Sequence, residues 1–146
     1  MQPAAGGSES SSTGAKLAQA FVRRHQQEMK TANKEQNAAA FDGDVLMSFD
    51  PADSQNVLCG CIGSTGTPFE GAFLVFQMRL PPDFAFQPPK VEMLVWSSGK
   101  RLHPNIYASG KVCMDIINTF GSNQWVPTFT LYAVMRSVLS LLDDNP

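Results

Sequence analysis

The chain has 146 residues, 43% of them hydrophobic and 16% charged, which is enough for one packed core and short for two domains. Its net charge of −2 and pI near 5.6 supply no basic footprint for nucleic acid. No apolar run reaches about 18 residues and no signal-peptide core is present, so neither a membrane span nor secretion is expected.

Three cysteines, Cys59, Cys61 and Cys113, leave at least one unpaired, which fits a reducing compartment, cytosolic or nuclear, better than a secreted disulfide framework. Cys59 and Cys61 stand two apart in VLCGCIG, on one face of a strand if the segment is extended, and read as small core residues. The only histidines, His25 and His103, do not complete a zinc ligand set, so no metal site is expected.

In chain order, residues 1–14 (MQPAAGGSESSSTG) are expected to form a disordered tail, having too little apolar surface to offset chain entropy. Residues 15–32 predict a helix capped by Thr13, with Leu17, Phe21 and Met29 as its apolar stripe and Lys16, Arg23, Arg24 and Lys30 mostly solvated. Residues 33–40 are small and polar and read as a connection. Residues 41–49, 56–62 and 72–80 are three β-leaning runs separated by turns, an antiparallel meander. The last is apolar on both faces at its start, which calls for a cover on each side; the first helix and a later one are the available lids. Pro81, Pro82, Pro88 and Pro89 then bracket DFAFQ and make a stiff extended loop. Phe84 and Phe86 are two apart in it, and on pattern alone both plug the core. Residues 91–96 predict a fourth strand, followed by the polar turn SSGK.

The stretch LHPNIYASGKVCMD, residues 102–115, carries the chemistry. A thiol is a natural acyl acceptor, since thiolate attacks carbonyls well even as a minor species at neutral pH; Cys113 is the candidate. An asparagine amide nearby can donate to an oxyanion, a contact typically worth roughly 10²- to 10³-fold in rate; Asn105 is that candidate. Asp115, two residues past the thiol, can orient an incoming amine whose charged form is disfavoured by desolvation. His103 suggests a Cys/His/Asn protease, but in papain-like enzymes the histidine and asparagine lie far downstream of the cysteine, whereas here both precede it in one loop. His103 is therefore read as structural, with Pro104 stiffening the same turn. Beyond IINTFGSNQWVPTF, Thr130 is a candidate N-cap for a last helix in which Leu131, Val134, Met135, Val138, Leu139, Leu141 and Leu142 recur at helical spacing.

Taken together, GSTGTPFEGAF, LPPDFAFQPPKV, LHPNIY, GKVCMD, QWVPTFTL and LLDDNP occur in one order from Gly63 to Pro146, and over that span the chain resembles the catalytic core of the ubiquitin-conjugating enzymes. The resemblance implies an α+β domain, residues 15–146, with a four-stranded antiparallel sheet flanked by an N-terminal helix and a central C-terminal helix. It implies acyl transfer without metal or organic cofactor: ubiquitin or a ubiquitin-like protein is taken from an activating enzyme as a thioester on Cys113, held on an exposed ledge, and passed to a substrate lysine or a ligase. It assigns Asn105 and Asp115 to catalysis and His103 and Pro104 to loop structure. Phe86, Pro127 and Thr128 become a ligase patch, and Arg23 and Arg24 activating-enzyme contacts. Ala85 and Gln87 replace the usual proline and lysine, Val126 replaces the usual serine, and several extra residues fall around 119–123. Members usually continue with two more helices, one with an acidic residue that helps gate the cysteine, so reduced stability and activity are expected, and a poorly active regulatory or binding module is the alternative reading.

Overall fold

The structure, a computed structural model, describes residues 9–38, 45–94 and 99–143. Helix α1 (Glu9–Ala38) is followed by strands β1 (Val45–Phe49), β2 (Asn56–Ile62), β3 (Phe73–Arg79) and β4 (Lys90–Met93). A short 3₁₀ turn (Asp115–Ile117) and helix α2 (Leu131–Asp143) complete the elements. The strands pair in sequence order, each antiparallel to the next, the meander expected from the alternation; β2 has the expected bounds.

Helix α1 departs from expectation at both ends. Residues 9–14, assigned to the tail, are helical, and Thr13 lies inside the helix rather than at its cap; residues 1–8 lie outside the described part. At the other end residues 33–38 continue the helix instead of connecting it. Lys34, Glu35 and Gln36 are sound helix formers, which explains the continuation. The stripe is also different. Phe21 and Ala32 are buried while Leu17 and Met29 are exposed, and the remaining inward position, seven residues after Phe21, is Glu28 at 2% exposure.

That carboxylate is buried because it is saturated. Its Oε1 accepts from Arg24 Nε at 2.6 Å and its Oε2 from the Leu131 backbone N–H at 2.9 Å, so α1 satisfies one of the orphan donors at the start of α2. Thr130 supplies the N-cap proper, its hydroxyl accepting the Ala133 N–H at 3.1 Å. Arg24 reaches on to the carbonyls of Pro127 and Phe129 and lies over the Phe84 ring. It was expected in solvent; instead it is built into the joint between the helices.

Both helices contribute to a single core on one face of the sheet, where Val45, Met47, Val57, Cys59, Cys61, Leu74, Phe76 and Met78 meet Phe21, Ala32 and the apolar arc of α2. The expectation of one lid per face is therefore corrected. Leu46, Leu58, Ile62 and Phe73, the last 59% exposed, remain on the other face, because α1 and α2 are joined to each other and cannot straddle the sheet. Cys59 and Cys61 are buried side by side, and burial pushes both thiols up to about 12, so neither competes as a nucleophile at neutral pH.

Candidate active site

The segment after β4 lies back along that strand: Met93 N–H donates to Gly110 O at 2.8 Å and Val112 N–H to Val91 O at 3.1 Å. Gly110 makes this approach feasible. Its φ is +92° and a Cβ there would stand 2.3 Å from the Met93 carbonyl oxygen, so Gly110→Ala combines a disfavoured backbone conformation with a backbone clash. It is expected to cost at least about 2 kcal/mol, read as a lower urea midpoint at unchanged slope.

Within the loop, Asn105 and Cys113 grip each other twice. Cys113 N–H donates to Asn105 O at 2.8 Å, and Asn105 Nδ2 donates to Cys113 O at 2.8 Å. His103 Nδ1 accepts the Asn105 N–H at 3.0 Å, a side-chain to backbone bond that fixes the approach of Asn105, with exposed Pro104 between them. The structure thus ties the backbone of Cys113 to the candidate amide eight residues before it, whose own backbone the loop histidine fixes.

The exposed ledge is corrected: Cys113 is only 2% exposed. Its backbone is tied on both sides, and the chain after it curls back at once. Ile117 N–H donates to Met114 O in the 3₁₀ turn, Asn118 takes a left-handed φ of 57°, and Gln124 N–H donates to Asp115 O. Asp115 faces this returning loop, Oδ1 accepting the Ser122 N–H at 3.1 Å, so at least one of its oxygens is committed to loop structure.

The same return forms the surface named from the resemblance. Phe84 is buried and Phe86 is 64% exposed, so only the first of the pair plugs the core. Trp125 Nε1 donates to Ala85 O at 2.8 Å, and Trp125 packs against Phe84 and Phe129. This stacks the Phe86 loop on the segment carrying exposed Pro127 and Thr128. Arg23 is exposed on α1; Arg24 is engaged as described. Beside the loop lies a cleft of about 540 Å³ walled by Pro81, Pro82, Pro88, Pro89, Ile117 and Thr119, and Cys113 does not line it. Among the described residues no group of three His, Cys, Asp or Glu is placed to hold a metal ion.

Sequence pattern missed Glu28, Asn118 and Thr119. Glu28 carried a signal, an Arg four residues before it on the same helical face. Asn118 carried another, since Asn tolerates the left-handed turn that sends the chain back. Thr119 carried only its place at the start of the extra residues around 119–123.

Comparison with known proteins adds an independent line. Residues 24–146 match the family described as ubiquitin-conjugating enzyme. Over 98 residues the chain is 37% identical to Ubiquitin-conjugating enzyme E2 Z of Xenopus tropicalis and 35% identical to that of Homo sapiens, alignments covering 66% of this chain and 31% and 28% of those proteins. The matched part thus spans less than a third of these relatives. Among solved structures, human Ubiquitin-conjugating enzyme E2 G1 superposes with a TM-score of 0.68 at 24% identity, over 84% of this chain and 97% of that one. A Plasmodium falciparum ubiquitin conjugating enzyme E2 does so at 0.68 and 17% identity, over 85% and 99%. At those identities the two superpositions speak to fold.

Proposed function

The chain belongs to the ubiquitin-conjugating enzyme family, and from that premise we propose that it carries ubiquitin or a ubiquitin-like protein as a thioester on Cys113 and hands it to an amine or to a ligase thiol. The observation that carries this reading is the double grip between Cys113 and Asn105, which holds an amide donor beside the backbone of the candidate nucleophile.

In the first step the Cys113 thiolate attacks the carbonyl carbon of the activating enzyme's thioester; a new C–S bond forms, the old one breaks and the activating enzyme's thiolate leaves. Thioester is exchanged for thioester, so little driving force and no strong base are needed. In the second step a neutral lysine amine attacks the same carbon, Cys113 leaves as thiolate and the ammonium proton passes to solvent or base. Asn105 Nδ2 has two hydrogens and spends one on the Cys113 carbonyl, leaving one for the oxyanion. Asp115 orients the amine with the oxygen not bound to Ser122. Phe86, Pro127 and Thr128 form the docking surface for a ligase and Arg23 a contact for the activating enzyme. The unbridged cysteines suit the cytosol or nucleus.

The burial of Cys113 favours a second reading, a binding or regulatory module whose thiol is occluded. One experiment separates the two. With activating enzyme, ATP and ubiquitin, the enzyme reading expects a band shift that reductant removes and that Cys113→Ala abolishes. A folded wild type that never forms that band supports the occluded module.

A further inference from the structure

We infer that Thr119 is a positioning residue for Cys113, its hydroxyl fixing the peptide planes on both sides of the thiol; the inference rests on the reading of Cys113 as the thioester-forming residue. It gives work to the inserted loop, which the mechanism above leaves unused.

Two residues hold most of the backbone polar groups around the sulfur. Asn105 takes Cys113 N–H and Cys113 O. Thr119 takes groups on both neighbours of the cysteine. Its Oγ1 accepts the Met114 N–H at 2.9 Å and lies 3.3 Å from both Val112 O and Met114 O, while its own N–H donates to Met114 O at 3.1 Å. A hydroxyl has one hydrogen to give. Met114 O already receives the Thr119 and Ile117 N–H groups, so Val112 O is the carbonyl that depends on the hydroxyl. Asn105 therefore holds the cysteine itself, and Thr119 holds its two neighbours from the other side.

Thr119 is placed there by the return of the chain. Asn118 in the left-handed region turns it back, and Asn118 Oδ1 accepting the Trp125 N–H at 3.0 Å closes the loop behind it. Without the hydroxyl, Met114 N–H and Val112 O lose this partner, and on the side away from Asn105 the residues flanking the cysteine keep only backbone bonds. The sulfur then ranges more widely relative to the Asn105 amide. Displacements on the order of 1 Å at a reacting centre cost up to about 100-fold in rate, and a partial loosening is expected to cost about 10-fold.

The test is single-turnover discharge of the ubiquitin thioester of the full chain to free lysine, followed on non-reducing gels. Thr119→Val is expected to lower the rate at saturating lysine about 10-fold with the half-saturating lysine concentration unchanged, and Thr119→Ser to restore it to within about 2-fold. A loss of folded fraction alone would not produce that split or that rescue, since only folded protein carries thioester. Discharge by Thr119→Val at the wild-type rate, or Thr119→Ser as slow as the valine variant, overturns the inference. Should the valine variant not fold, Thr119→Ala is read in its place, and if that also fails to fold the residue is structural and the inference fails. A wild type that never charges defeats the reading of Cys113 and this inference with it; a normally charging wild type with normal Thr119→Val discharge defeats this inference alone.

Discussion

Asn105→Ala is expected to leave charging of Cys113 within about 10-fold of wild type while slowing transfer to lysine by about 10²- to 10³-fold. The asymmetry follows from the two halves of the grip. The bond from Cys113 N–H to Asn105 O is made by backbone and survives the substitution. The bond from Asn105 Nδ2 to Cys113 O is lost, and an unsatisfied, mostly buried carbonyl costs about 1–3 kcal/mol, a stability effect that should lower both steps alike. Loss of an oxyanion donor acts on the step in which charge builds on the carbonyl oxygen as an amine adds, and is typically worth about 3–4 kcal/mol there. Thiol exchange passes through an oxyanion too, but between partners of nearly equal leaving ability, so it has the lower barrier to lose. Charging and discharge rates measured separately in one preparation decide the matter: equal losses in both would show that Asn105 only fastens the loop.

The largest effect on stability is expected from Glu28→Ala, about 3 kcal/mol, which for a chain of this size lowers Tm by roughly 10 °C. Glu28 is 2% and Arg24 19% exposed, so this is a largely desolvated pair, and removing one partner of such a pair typically costs about 3–5 kcal/mol. The lower end applies because Arg24 keeps the Pro127 and Phe129 carbonyls. The Leu131 N–H loses its acceptor at the same time. Replacing Arg24 and Glu28 together by apolar residues of similar size should cost less than Glu28→Ala alone, since no uncompensated charge remains. Thermal melts of the three proteins test this, and a shift below about 2 °C for Glu28→Ala would show that the joint between the helices is held by apolar packing.

The sheet was legible because strand alternation is a local signal: residues 56–62 have Val57, Cys59 and Cys61 buried and Leu58 and Ile62 exposed, as a period of two requires. The last helix was legible for the same reason, its buried residues recurring at helical spacing from a capping Thr130. The first helix was misread because its inward face is partly ionic. A pattern of apolar residues cannot register Glu28, whose burial depends on a guanidinium on its own helix and a backbone donor more than a hundred residues away. Its ends were missed because Ser and Asn are only mildly unfavourable in a helix and a single glycine, Gly14, does not end one. At the site, the proximity of Asn105 and Cys113 followed from motif order. The return loop did not, since it depends on one left-handed asparagine and on hydroxyl and carboxylate bonds to backbone.

Shelter of the thiol bears on durability as well as rate. Peroxide converts accessible thiolates to sulfenic and then to irreversible sulfinic acids, and a cysteine at 2% exposure meets little of it. The same enclosure that would slow any reaction at this sulfur thus also slows its oxidation.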